Sequence, residues 1–284
     1  MTELRWGERT YLMGIINLTP DSFSGDGLAP DGRPVAEVHE AARRQAAAFV
    51  EAGADILDVG AESSRPAQFY GEHPRPTPEA EAALAVPLVE ALVAEHGDRA
   101  MVSIDTTRGA VARAALDAGA GMVNDVWAGR ADSDTVAAAA ERGAYLVLMH
   151  NRERADYPGS PFDEVVGWLR AAVDDALAAG VARNRIIVDP GIGFGKTPEH
   201  SVELMHRLGE LKAALGGLPM LVGTSRKRFI GELLGGVPPD ERLEGTIASV
   251  VLAIAQGADI VRVHDVAQVA PAVRVADGIS RWRQ

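Results

Sequence analysis

Short apolar runs alternate along this chain with longer stretches in which apolar positions recur every three or four residues. Five of the short runs follow a glycine: Gly53 before Ile56-Leu57-Asp58, Gly119 before Met122-Val123-Asn124, Gly143 before Tyr145-Leu146-Val147, Gly180 before Arg185 to Asp189, and Gly257 before Ile260-Val261-Arg262. A glycine in that place reads as the left-handed residue that ends a helix. Three more runs, Tyr11 to Asn17, Ala100 to Asp105 and Pro219 to Thr224, share the composition without the glycine. Short continuous apolar runs of this kind predict strands buried on both faces, as in a parallel sheet. Between them, Val35, Val38, Ala42, Ala46 and Phe49 mark one buried helical stripe. Thr77-Pro78-Glu79 and Thr197-Pro198-Glu199 read as helix starts, each with a capping hydroxyl, a proline in the first turn and an acid at the positive end.

Eight strand-helix units in 284 residues predict a (β/α)8 TIM barrel forming a single domain over residues 1–284, since no linker or break in composition divides the chain. An open doubly wound sheet is the rival, and it lacks the G-x-G-x-x-G that would open its first helix. Two connections are long for a compact domain, Leu18 to Pro34 after the first strand and Ala61 to Pro76 after the second. With their glycines and prolines they read as mobile loops over a site.

Composition narrows the function. Hydrophobic residues make up 47% of the chain and aromatics only 5%, which suits layers of small branched side chains between helices and sheet. The net charge of -12 argues against nucleic-acid binding, so an anionic substrate requires a local cationic pocket. The absence of cysteine rules out disulfides and thiolate metal sites and suits a cytoplasmic protein. No signal core is present at the N-terminus, and no apolar run reaches the roughly 20 residues that span a bilayer, so no membrane association is expected.

A barrel places its site where the strands end. In order, those ends carry Asn17; Asp58 with Glu62; Asp105; Asn124 and Asp125; His150 and Asn151; Asp189; Ser225 and Lys227; and Arg262, His264 and Asp265. All eight are expected to converge on one pocket. Asp105, Asn124, Asp189 and Lys227 suit a flat heterocycle that presents several N–H donors beside a carbonyl. Arg65, Arg262, His264 and Asn17 suit a phosphate or diphosphate. The stretch from Ile186 to Thr197 ends in Gly195-Lys196-Thr197, as a phosphate-binding loop would, but Pro190 occupies the place of that motif's first glycine and offers no N–H. Asp189 is therefore the informative residue of this stretch and Lys196 a secondary one. Neither H-E-x-x-H nor G-x-S-x-G is present, and His39, His96, His200 and His206 fall on helix surfaces. The expected chemistry is the binding and polarising of two substrates without a covalent intermediate.

Eight ordered blocks make the chain resemble the dihydropteroate synthases: M-G-I-I-N-L-T-P-D-S-F-S (13–24), D-V-G-A-E-S-S-R-P (58–66), S-I-D-T (103–106), N-D-V (124–126), L-M-H (148–150), D-P-G-I-G-F-G-K-T (189–197), G-T-S-R-K-R-F-I-G (223–231) and R-V-H-D-V (262–266). The resemblance implies a homodimeric barrel that condenses 6-hydroxymethyl-7,8-dihydropterin diphosphate with p-aminobenzoate, and a target for sulfonamides. By position, Asp105, Asn124, Met149, Asp189 and Lys227 would hold the pterin, and Asn17 would ligate a Mg²⁺ cofactor on the diphosphate. Arg65, Arg262 and His264 would hold the phosphates, while Ser64, Pro66, Phe23 and Arg228 would lie near p-aminobenzoate. The chemistry would rest on Asp105, Lys227, Asp189 and Arg262, with the bond to diphosphate breaking before the amine attacks.

The chain departs from the family pattern at S-G-D-G in the first loop, at the insertion Gln68 to His73 in the second, and at Arg228, where many members carry serine. Two alternatives stand beside this reading. A pterin-dependent methyltransferase uses a similar barrel but needs no diphosphate site, and a catalytically silent paralogue would retain the pterin-binding residues.

Overall fold

The structure, a computed structural model, describes residues 3–18, 34–62 and 76–282. Eight strands alternate with helices: β1 (Tyr11–Asn17), β2 (Ile56–Gly60), β3 (Met101–Asp105), β4 (Met122–Asp125), β5 (Tyr145–Met149), β6 (Ile186–Asp189), β7 (Leu221–Val222) and β8 (Ile260–Val263). The helices among the described residues are α1 (Val35–Ala52), α2 (Pro78–His96), α3 (Gly109–Asp117), α4 (Asp134–Arg142), α5 (Pro161–Ala178), α6 (Pro198–His206), α7 (Leu208–Ala214), α8 (Arg228–Leu233), α9 (Leu243–Ala255) and α10 (Val266–Ser280). All strand pairs are parallel in the order β6-β5-β4-β3-β2-β1-β8-β7. A parallel bridge from Val188 to Met220 brings the two ends of that order together, so the sheet closes into the expected (β/α)8 barrel.

The glycine signals work as read. Gly53, Gly119, Gly143, Gly180 and Gly257 all take positive φ, between 59° and 101°, where a helix gives way to the turn before a strand. Thr77 accepts from the Ala80 amide at the start of α2, and Thr197 and His200 form a reciprocal capping box at the start of α6. Val38, Ala42, Ala46 and Phe49 are buried, whereas Val35, the first residue of α1, remains 53% exposed because it precedes the turn that meets the barrel. The seventh strand is shorter than the run Pro219 to Thr224, since only Leu221 and Val222 pair with β8. The side chain of Asp259 takes the Met220 amide at 2.9 Å, so a carboxylate replaces part of the ladder there.

Register determines what fills the barrel. Met13 lies level with Ile56, and Ile56 with Met101, while Tyr11 lies level with Ile260. These residues form one buried cluster with Met122, Tyr145, Val147, Ile187 and Leu221, capped by Leu4 and Trp6 at the N-terminal end. Because side chains alternate along a strand, the inward series continues upward to Asn17, Asp105, Asn124, Met149, Asp189, Arg262 and His264. The barrel is thus apolar at its base and polar at its C-terminal mouth. A second cluster, rich in Val, Leu and Ala, joins the outward strand faces to the helices.

Candidate active site

One pocket at the C-terminal mouth is lined by Asn17, Glu62, Asp105, Asn124, Met149, Asp189, Lys196, Ser225, Lys227, Arg228, Arg262 and His264, among others. The heterocycle set read from the residues, Asp105, Asn124, Asp189 and Lys227, with Met149 that the resemblance adds to it, therefore shares one cavity with Asn17, Arg262, His264 and Arg228. Phe23, Ser64, Arg65 and Pro66, along with residues 19–33 and 63–75 of the two long loops, lie outside the described residues.

The convergence of all polar strand ends does not hold for every residue. Asp125 and His150 each follow an inward residue, so strand alternation turns them away from the mouth. Asp125 accepts from the amides of Trp127 and Gly129 and from the Thr135 hydroxyl, which makes it the cap of the following turn. Asn151 accepts from the Arg152 amide. Asp265 forms a two-pronged ion pair with Arg226, at 2.9 and 2.5 Å, tying the segment after β7 to the one after β8. Arg226 itself has a φ of 58°, in the left-handed region that a side-chain-bearing residue rarely adopts. It stands between Ser225 and Lys227, so the ion pair holds the turn that presents Lys227.

Asp58 points inward but sits one layer below the mouth, wholly buried. Its Oδ2 accepts from Asn124 Nδ2 at 2.9 Å and from Arg262 Nε at 2.7 Å, and Arg262 Nη2 donates to Asp105 at 2.7 Å. A carboxylate can only accept, so Asp58 fixes which end of the Asn124 amide is nitrogen and leaves its oxygen as the end that can take a ligand N–H. The division into a heterocycle set and an anion set is consequently not a division in space: Arg262 is held by the carboxylates of Asp58 and Asp105.

Burial dominates the electrostatics. It pushes the carboxyl of Asp105 upward against the pull of Arg262, with Asp58 adding to the rise. Burial likewise raises Asp189 to about 6, opposed by the Gly191 amide, which donates to its Oδ1 at 2.7 Å, and by Lys227, Lys196 and Arg262. Lys227 lies with its Nζ 3.8 Å from the centre of the Phe194 ring, a cation–π contact at the pocket wall. His264 bonds through Nδ1 to the Ser225 hydroxyl at 2.9 Å.

Lys196 is more deeply engaged than the broken phosphate-loop pattern implied. Only 3% exposed, it lies 2.8 Å from His150 Nδ1 and donates to the Phe194 carbonyl at 3.0 Å. The strand-end reading turns His150 into the pocket, whereas it lies behind the pocket wall against Lys196. The signal was its position one residue beyond inward-facing Met149, which directs it behind the wall. A second network, Glu81 with Thr106 and Arg108, joins the start of α2 to the end of β3, and Arg108 also pairs with Glu62 at 3.3 Å. A buried glutamate in a first helical turn looks in sequence like an ordinary dipole partner, so this network was not legible.

Among the described residues no three His, Cys, Asp or Glu side chains gather as a metal cluster. The donor that Asn17 brings to the pocket fits a hard cation that shares most of its ligands with a substrate's phosphates and water, the usual habit of Mg²⁺.

The chain matches the family model of pterin binding enzymes over residues 13–264. The dihydropteroate synthase of Synechocystis is 45% identical over 285 residues, covering 98% of this chain and 92% of that protein. The fold matches the dihydropteroate synthase of Clostridium difficile, crystallised in the presence of pteroic acid, with a TM-score of 0.88 at 40% identity over 99% of this chain and 100% of that one. It matches the Xanthomonas albilineans enzyme, solved with 4-aminobenzoic acid, with a TM-score of 0.86 at 37% identity over 98% and 95% of the two chains. The matched span contains every strand end that lines the pocket from Asn17 to His264, and likeness of this extent in both sequence and fold makes the chain a member of the dihydropteroate synthases, transferases of the pterin-binding enzyme family.

Proposed function

We propose that this chain condenses 6-hydroxymethyl-7,8-dihydropterin diphosphate with p-aminobenzoate, giving 7,8-dihydropteroate and diphosphate. The observation that carries the reading is the meeting of Asp105, Asn124, Asp189 and Lys227 in one cavity with Arg262 and His264. Asp189 and the oriented Asn124 amide accept from the ring's N–H groups, and Lys227 donates to its carbonyl or a ring nitrogen. A buried carboxylate held by several donors gives such recognition both strength and direction.

Arg262 and His264 take the diphosphate, with Arg65 joining from the second long loop. A Mg²⁺ ion on Asn17 would supply further neutralisation of the leaving oxygens. As the C–O bond lengthens, positive charge grows on the pterin methylene, and the Asp105 carboxylate stabilises it. The Arg262–Asp105 pair gives the protein opposite charges side by side where the transition state separates charge. The arylamine then attacks a carbon that is already cationic and needs no general base of its own.

Ser64, Pro66, Phe23 and Arg228 are proposed to form the p-aminobenzoate site, which is also the site for sulfonamides. Homodimerisation belongs to the same reading, and Leu252 on α9 with Val275 and Ile279 on α10, all more than half exposed, supply apolar surface for it.

The test is product formation. Purified protein mixed with pterin diphosphate, p-aminobenzoate and Mg²⁺ should release diphosphate and form dihydropteroate in equal amounts. Retention of both substrates by folded protein would contradict the proposal.

A further inference from the structure

Lys196 belongs to a motif that the reaction proposed above leaves without a role, and its surroundings give it one. The ammonium lies under the glycine turn that runs from Asp189 to Gly195. A Cβ built on Gly191 would come within 1.9 Å of the His150 carbonyl oxygen and 3.3 Å of Lys196 Nζ, so the turn passes directly over the amine. The amide of the same Gly191 donates to Asp189 Oδ1. One side of this glycine is therefore bonded to the carboxylate and the other is packed on the lysine.

The acceptors of Lys196 are the second observation. His150 Nδ1 faces the amine at 2.8 Å, and burial together with Lys196 and Arg152 lowers this imidazole to about 2, so it is neutral. To accept from an ammonium at Nδ1, its proton must sit on Nε2. That nitrogen is buried with no hydrogen-bond partner among the described residues, and the imidazole packs against Trp168 in a T-shaped contact and against Tyr157 in a stacked one, with ring centres 5.1 and 6.4 Å away. An unsatisfied buried N–H is costly, and the arrangement is sustained by what Nδ1 receives in return. Tyr157 fixes the other end of the turn by donating to the Gly195 carbonyl at 2.9 Å.

We propose that Lys196 is a positioning residue for pterin recognition: held by His150 and the Phe194 carbonyl under the glycine turn whose Gly191 amide binds Asp189, its ammonium joins Lys227 as a buried counter-charge that keeps the Asp189 carboxylate ionised beneath the ring. The inference rests on the pterin reading of the pocket. Around Lys196 the charged groups are Asp189 on its own turn, Lys227 from the segment after β7, Glu164 from α5 and Arg152 from the segment after β5. Asp189 faces Lys227, Lys196 and, from β8, Arg262. Burial lowers Lys196 to about 7 while it raises Asp189 to about 6, so the two groups lean on each other to stay charged near neutral pH. A ring that donates to the carboxylate and covers it favours the charged pair further.

The measurement is the binding of a pterin without diphosphate to the whole protein between pH 5 and 7.5, for the wild type, Lys196→Met, Lys196→Arg and His150→Leu. Wild-type binding should weaken as the pH falls through about 6. In Lys196→Met that acid limb should move up by at least one pH unit. His150→Leu, which alters no pocket-lining group, should move it in the same direction, and Lys196→Arg should return it toward the wild type. An acid limb unchanged in both Lys196→Met and His150→Leu, with affinity merely scaled by one factor at every pH, would overturn the inference and leave Lys196 a packing residue. Absence of pterin binding by the wild type at every pH would instead contradict the pterin reading itself.

Discussion

Arg262 and Asp58, 204 residues apart in sequence, meet at 2.7 Å inside the barrel. The same aspartate oxygen holds Asn124, and the same guanidinium reaches Asp105, so one hydrogen-bonded chain links β4, β2, β8 and β3. Arg262→Ala would leave Asp58 buried without its cation, and loss of one partner of such a pair costs about 3 to 5 kcal/mol. Urea unfolding of the variant should show a loss on that scale, with kcat/KM falling as well. A loss below about 1 kcal/mol, the range of a surface pair, would mean that the link does not order the site.

Gly191 is constrained twice. Its φ of 66° disfavours any side chain, and the carbonyl of His150 occupies the space a methyl would need. Gly191→Ala should therefore cost at least about 2 kcal/mol from strain and overpacking together. The damage should also reach Asp189, whose oxygen depends on this amide. Thermal unfolding and pterin affinity, measured on the same preparation, should both decline; unchanged affinity would detach the turn from recognition.

Asp58 and His150 show what the sequence disclosed and what it hid. The strands, the five helix-ending glycines and the inward acids were legible because each follows from local backbone rules: a period of two, a left-handed residue after a helix, a polar group at a strand's end. Asp58 reads as a strand end because nothing local distinguishes an acid in the third position of a five-residue strand from one at its tip. Its burial depends on Arg262, and long-range pairing leaves no periodic trace. The strand-end pattern misdirects His150 and Asp125 for a related reason. A polar residue next to an inward one faces the opposite way, and a one-residue uncertainty in where the strand stops reverses the assignment. At the start of β7 a carboxylate from elsewhere likewise intervenes: Asp259 takes the Met220 amide, while the Met220 carbonyl still accepts from the Asp259 and Ile260 amides.

The raised Asp189 carboxyl makes stability sensitive to pH in a defined direction. Its folded pKa, about 6, exceeds the unfolded value near 3.8. Its contribution to stability is thus fully present below the unfolded value and is lost as the pH rises through about 6. In the absence of ligand, the wild type should gain stability relative to Asp189→Asn on going from pH 7 to pH 5, because only the wild type has this proton to bind. Urea midpoints of the two proteins at both pH values test the sign, and a gap that stays constant or moves the other way would contradict it.

The arylamine should bind last. The residues proposed to meet p-aminobenzoate come largely from the two connections whose sequence reads as mobile loops, and ordering a loop costs about 1 to 2 kcal/mol per backbone residue, more than so small a molecule offsets alone. Calorimetry should find p-aminobenzoate weakly bound to the free protein and much more tightly bound with diphosphate and Mg²⁺ present, and diphosphate should gain equally from p-aminobenzoate. Equal affinities with and without diphosphate would indicate an arylamine site complete in the free protein.

Pterin recognition by the carboxylate at the end of β6 is the claim on which the rest depends, and it can be isolated from catalysis. The direct measurement is calorimetric titration at pH 7 of a pterin lacking the diphosphate into the wild type, Asp189→Ala and Lys227→Ala, with folding of each verified by its unfolding transition. Saturable one-to-one binding by the wild type should weaken in both variants by at least about 2 kcal/mol, roughly thirtyfold, the scale of a charged hydrogen bond lost from a buried site. Wild-type affinity in folded Asp189→Ala would contradict the assignment of the pocket.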